Sequence, residues 1–224
     1  MESSEEEQQQ SREPRRKPHT SPPRPDAKLL VFDIEITGLP ENWQAPYTDV
    51  ENWPHLVSIA WTFMSGTGKR GATRSYIVKP DGYEIPKLAA KVHEISTKKA
   101  LKEGTSLDYV LADFTQCLEW ADLVLAHNFE FKETVVRCEA YRLGLQMPFD
   151  DSTRVCTMKS TKRICRITLP DLSGYKYPTF AELYKHCIRR GYGRPHGAVN
   201  DIDGVAEVVQ YLLRKRVLRV PGEH

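Results

Sequence analysis

Cysteine is sparse in this sequence and shows no pairing pattern. Five cysteines are scattered over 224 residues, at positions 117, 138, 156, 165 and 187, with no C-x-x-C pair. That argues against a zinc ribbon and a disulfide framework, and it suits reduced thiols in an intracellular compartment, cytoplasmic or nuclear. Long apolar runs are also lacking. None approaches the roughly 20 residues needed to span a bilayer, so no membrane partner is expected. Nor is there an excess of one charge: Lys plus Arg number 32 against 30 Asp plus Glu, a net of +2. Overall charge therefore marks neither a nucleic-acid binder nor a membrane binder. The polar, acidic N-terminus is unlike a secretory signal or an acid-poor transit peptide. What is present is 40% hydrophobic residues, enough for the core of one ordinary domain with a tail to spare.

The tail is expected at residues 1–27. Glu5, Glu6 and Glu7 run into Gln8, Gln9 and Gln10, and a basic, Pro-rich stretch follows. So few apolar side chains cannot offset the entropy of ordering, and disorder is the expectation. Arg15, Arg16 and Lys17 form either a short basic patch or part of a solvated tail. Order is predicted from Lys28. Residues 29–36 form an apolar run suited to a central strand, and 55–64 and 75–78 complete a hairpin meander across the glycine-rich turn at 65–71. Pro86 can open a short helix that ends near His93. Apolar spacing predicts a helix over 106–121, a strand over 123–126 and a helix over 131–143, stopped by Gly144. Helices are predicted at 179–190 and 198–213, while 150–178 shows no dominant pattern. This order gives an α/β fold, one mixed sheet with helices on it. The domain is expected to span 28–215, with 216–224 as a C-terminal extension.

Asp33 and Glu35 interrupt the apolar first strand. Strand side chains alternate, so both project from one face. Two carboxylates on one face of a buried strand are costly to desolvate unless a cation meets them, and Mg²⁺ or Mn²⁺ suits oxygen donors. An exposed edge strand is the competing explanation, although apolar residues occupy both faces of this run. Near the C-terminus, His196 is placed in a loop after Gly193-Arg194-Pro195 and Asp201 on the first turns of the last predicted helix. A histidine beside a metal-binding acid suits a general base. A capping or surface histidine is the bland alternative, and Asp203 and Asn200 lie close enough that spacing alone does not single out Asp201. A third group, from Ala126 through His127 to Lys132, sits where a strand ends and a helix begins. It is either a site edge or an ordinary connection with Asn128 as N-cap.

Taken together, these residues resemble the DEDDh superfamily of 3′–5′ exonucleases, which includes proofreading subunits and RNase T. Asp33, Glu35, Thr37 and Gly38 match its D-x-E-x-T-G motif, and His196 and Asp201 match its H-x-x-x-x-D motif. Lys79-Pro80 and the segment from Val92 to Ile95 are similar to its K-P and H-G-I segments. The second motif departs from the pattern: Asn128 and Phe131 match, but Lys132 stands where the family has aspartate. The resemblance implies an RNase H-like fold, a five-stranded mixed sheet with a three-strand meander followed by parallel strands, flanked by helices. It also implies Mg²⁺- or Mn²⁺-dependent hydrolysis of terminal phosphodiesters of DNA or RNA to 5′-mononucleotides. In that scheme Asp33, Glu35 and Asp201 hold metal and His196 is the general base. Ile36, Thr37, Gly38, Leu39, His93, Asn128 and Phe131 contact the 3′ end of the nucleic acid, single-stranded or otherwise. Plain core packing is the alternative for Leu39 and Phe131. Lys132 implies a weakened second-metal site. The alternative for the whole chain is a catalytically inactive nucleic-acid-binding module on the same fold, consistent with Lys132 and with the basic stretches at 159–166 and 214–219.

Overall fold

The computed structural model describes residues 20–151, 153–170, 173–193, 198–218 and 220–221, with backbone only at 20, 151, 198–201 and 220–221. A two-residue strand, β1 (Thr20–Ser21), pairs with β7 (Val220–Pro221). The described backbone therefore includes part of the stretch expected to be tail, and Ala27 is buried. Residues 1–19 lie outside the described residues.

The main sheet has the order β4-β3-β2-β5-β6. β2 (Lys28–Ile36), β3 (Leu56–Ser65) and β4 (Arg70–Ile77) form the antiparallel meander. Three helices follow, α1 (Lys87–His93), α2 (Thr97–Glu103) and α3 (Leu107–Trp120). β5 (Leu123–Ala126) then pairs parallel with β2, α4 (Phe129–Arg142) returns, and β6 (Thr153–Cys156) adds a parallel edge. The chain continues through α5 (Thr157–Cys165), α6 (Phe180–Ile188) and α7 (Ala198–Arg214). The expected five-stranded mixed sheet is thus present. β4 starts five residues earlier than the apolar pattern predicted, and α2 falls where no helix was expected.

Alternation along β2 splits the core into two layers. Leu30, Phe32 and Ile34 pack with Val110, Phe114 and Phe129 of the α3–α4 side. Leu29 and Val31 pack with Val205, Val208 and Leu212 of α7. Asp33 and Glu35 continue the second row, so they face the α7 side. Gly204 lets α7 approach Tyr192, since a Cβ there would lie 2.6 Å from the tyrosine ring. Tyr192 in turn packs on Phe180 and Tyr184, with ring centroids 4.9 and 4.7 Å away. The segment entering 194–197 is thereby anchored against α6 and α7. Four of the five cysteines are buried and all five are free thiols. Burial pushes Cys187 up to about 12.

Candidate active site

The site grows from the register between β2 and β5. Val31 pairs with Leu125, so the row of Asp33 falls beside the turn that follows Ala126. That turn opens α4. Asn128 adopts φ 59°, ψ 53° and makes no side-chain cap bond, so its role here is to take the left-handed turn that asparagine tolerates better than most residues. Lys132 then sits in the first turns of α4, its N–H donating to the Asn128 carbonyl at 3.3 Å. Its ammonium forms an ion pair with Asp33, and both side chains are largely buried, at 14% and 11% exposure. A cation near a helix N-terminus opposes the helix dipole. The Asp33 carboxylate offsets that, and it also accepts from the Ile34 N–H at 3.0 Å.

The nearby acids do not replace the missing aspartate. Glu130 accepts from Lys159 Nζ at 2.5 Å. Glu133 accepts from Arg137 Nε at 2.8 Å and from Arg154 at 2.9 Å. Both carboxylates are thus directed away from Asp33 into other ion pairs. Glu35 is half-buried on the face of Asp33. Among the described residues no cluster of three or more Asp, Glu, His or Cys forms a metal-binding group. The backbone of Asp201 lies in the first turn of α7, the helix laid across β2 and β3. His196 lies outside the described residues.

The loop after β2 is fixed by a reciprocal contact. The Thr37 hydroxyl accepts from the His55 N–H at 2.9 Å, and the Thr37 N–H donates to the His55 carbonyl at 2.9 Å. Gly38 is exposed beyond this anchor, Leu39 is 71% exposed, and Ile36 packs on the α3–α4 core. Leu39 is therefore not core, whereas Phe131 is half-buried between Trp43 and Trp53, with ring centroids 5.2 and 6.2 Å away. Trp53 Nε1 donates to the Pro46 carbonyl at 2.9 Å within the 40–54 loop, and Arg142 Nη2 of α4 holds that loop by donating to the Val50 and Trp53 carbonyls at 2.5 and 2.6 Å. Thr37, Gly38, Leu39, Trp53 and Arg142 line a cavity of about 470 Å³. His93 is buried, its Nδ1 accepting from the Ile95 N–H at 3.2 Å. Burial lowers its pKa, while the Ile36 carbonyl acts the other way. Its Nε2 lacks a well-formed hydrogen bond.

His127, which opens the strand-to-helix group singled out in the sequence, is structural. Nδ1 lies 3.1 Å from Thr157 Oγ1, and Nε2 lies 3.2 Å from the Pro178 carbonyl. A carbonyl only accepts, so Nε2 carries the proton and Nδ1 accepts from the hydroxyl. Burial lowers the pKa to about 4 despite that carbonyl. The neutral ring ties the end of β5 to α5 and to the entry of α6.

The comparisons with known proteins agree with this architecture. A family model described as Exonuclease, RNase T type, matches residues 30–209. Among solved structures, the zinc-bound E. coli ExoI–ssDNA complex aligns with a TM-score of 0.64 at 16% identity, over 85% of this chain and 41% of that one. E. coli exonuclease I with a dT13 oligonucleotide gives 0.65 at 16%, over 86% and 42%. A product-bound exonuclease I gives 0.63 at 16%, over 86% and 45%. At this identity the likeness is one of fold, and the chain spans less than half the length of those proteins. No curated protein matches the chain. With the family model covering most of its length, and the sheet and helices arranged as that family requires, the chain belongs to the RNase T-type exonuclease family.

Proposed function

We propose that this protein is a metal-dependent 3′–5′ exonuclease that removes 5′-mononucleotides from single-stranded or otherwise accessible 3′ ends, with Lys132 standing in the place of a second metal. The observation that carries the reading is the placement of Asp33 and Glu35 on one face of a buried strand, with a fixed ammonium ion-paired to Asp33. The donor set fits one hard divalent ion: two carboxylates two residues apart on one face, and the helix bearing Asp201 packed over that strand. It does not fit a second ion at Asp33, where the Lys132 cation already sits. A bound Mg²⁺ or Mn²⁺ would raise the acidity of the attacking water.

The chain's own groups do the rest. His196 accepts the water's proton. The Lys132 ammonium offsets negative charge developing on the departing 3′ oxygen. Gly38 allows close backbone approach to the terminal nucleotide, since it has no side chain and open space beside it. Leu39 and Phe131 present apolar surface to the terminal base and sugar, with Asn128 and Ile36 beside them. The buried His93 supports the loop from below.

The test is release of mononucleotides from a 3′-labelled strand with Mg²⁺ or Mn²⁺, compared with the Asp33→Ala variant. Ion-dependent release that disappears in the variant is expected. No release under either ion would overturn the catalytic reading. The ion pair itself favours a second reading, a non-catalytic end-binding module, because it neutralises the acid on which hydrolysis depends. That reading requires strand binding without turnover in the native chain.

A further inference from the structure

One stretch of this chain is strongly basic. Residues 153–178 carry six basic side chains (154, 159, 162, 163, 166 and 176) and a single acid at 171, whereas the whole chain has a net charge of only +2. Four of the six lie on α5 or at its C-cap, Arg166. We propose that α5 and the segment after it form a rail for the phosphodiester backbone of a single nucleic-acid strand, leading that strand into the site around Asp33. The proposal rests on the exonuclease reading and adds the route of the substrate.

Three observations support it. The first is position. α5 begins directly after β6, and the N–H of Phe129, the first residue of α4, donates to Cys156 Sγ at 3.4 Å. Lys159 bridges to Glu130, two residues before Lys132. The rail therefore starts at the rim of the site.

The second is rigidity. Thr157 and Thr161 are buried; the Thr161 hydroxyl donates to the Thr157 carbonyl at 2.7 Å, and His127 holds Thr157. This anchored inner face fixes which side chains point outward. Arg163 and Arg166 are exposed, and among the described residues neither forms an ion pair. Long flexible cations on a locked helix suit phosphates, which are regularly spaced and require no base recognition.

The third is the aromatic neighbour. Lys162 Nζ lies 4.4 Å from the centroid of the Tyr177 ring, and that ring is 47% exposed. An exposed aromatic face beside a row of cations is the combination that binds unpaired bases and backbone together. A duplex offers no free base face to such a ring, so the rail favours single strands.

The experiment measures binding of the full chain to a 12-nucleotide oligothymidylate and to the matching oligouridylate, in EDTA, across a series of salt concentrations. Releasing counterions from a single strand gives a log–log salt slope of about −0.7 per phosphate contact. The Arg163→Gln/Arg166→Gln variant is expected to lower the slope by about 1.4 and to weaken binding about tenfold or more at low salt. Lys98→Gln/Lys102→Gln removes the same charge from exposed positions on α2, and its slope should match the native one. Equal losses on both strands mean that the rail reads phosphate alone; a loss confined to one strand assigns the rail to that strand. If the arginine and lysine variants change the slope equally, or neither changes it, the rail is refuted while the exonuclease reading stands. Failure of the native chain to bind either strand at low salt would refute both.

Discussion

The Lys132→Asp substitution tests the electrostatics of the site most directly. Two unit charges about 5 Å apart at an effective dielectric near 20 interact by roughly 3 kcal/mol. The substitution changes the charge facing Asp33 by two units, from an attractive ion pair to a repulsive carboxylate pair. Lys132 and Asp33 are 14% and 11% exposed, so solvent screens little of this. Loss of one partner from a buried pair costs about 3–5 kcal/mol. In a domain of this size, 1 kcal/mol moves the melting temperature by about 2–4 °C. In EDTA the variant should therefore melt roughly 10 °C below the native chain. Added Mn²⁺ should reverse most of that loss, because the new carboxylate supplies the ligand that the ammonium denies. Native protein should respond to Mn²⁺ far less. Differential scanning fluorimetry with and without the ion reads both effects, and a nuclease assay should show turnover rising in the same variant. A Lys132→Asp protein that melts like the native chain in EDTA and gains no Mn²⁺ response would mean that the ion pair has no energetic weight.

Two further perturbations follow from buried groups. Histidine in an unfolded chain titrates near 6.5, whereas folded His127 titrates at about 4. Between those values the unfolded chain binds the extra proton, so the stability tied to neutral His127 is whole above about pH 6.5 and is lost as pH falls toward about 4. The loss reaches roughly 3 kcal/mol, and denaturant unfolding across that range should show a shallower pH slope for His127→Gln; equal slopes would contradict the assignment. Glu139 is buried and accepts from the Leu56 N–H at 2.6 Å, with Arg142 Nη1 at 3.2 Å. Glu139→Leu leaves the buried Leu56 N–H without its acceptor and Arg142 and His55 without their carboxylate partner, and should cost about 3–5 kcal/mol, seen as a drop of roughly 10 °C in the melting temperature.

Elements with strong apolar patterns were legible in the sequence, and those held by polar contacts were not. The run from Leu29 to Ile36 identifies β2 because both faces are buried, and Asp33 and Glu35 stand out against it. β4 hides because its first half is Arg70, Gly71, Thr73 and Arg74, an edge whose order comes from its ladder with β3. α2 carries three lysines, and the signal that marks it is a cap, the Ser96 hydroxyl accepting from the Lys99 N–H at 3.2 Å. α5 escapes an apolar count because Thr157 and Thr161 occupy its inward positions, the Thr157 hydroxyl bonded to His127 and the Thr161 hydroxyl to the Thr157 carbonyl. At the site, the departure at position 132 was visible, but its ion pair with Asp33 depends on the β2–β5 register, which no local pattern encodes.

Lys132 breaks a local rule, placing a cation in the first turns of a helix whose N-terminus already carries partial positive charge. Such breaches concentrate where a site demands them, and two demands are conceivable: the ammonium takes part in turnover as a fixed charge, or it locks the acid against metal. Lys132→Met separates them, since it keeps the length and apolar stem and removes only the charge. If the charge participates, turnover at saturating Mn²⁺ falls about tenfold or more, in line with one lost electrostatic stabiliser. If the ammonium is a lock, turnover rises and half-saturation shifts to lower Mn²⁺. The two outcomes have opposite signs at the same residue, so a single titration of the nuclease rate against Mn²⁺ decides between them. The charge-participation reading follows from the proposed mechanism and predicts the fall; a rise in turnover would refute the assignment of Lys132 as the stand-in for a second metal.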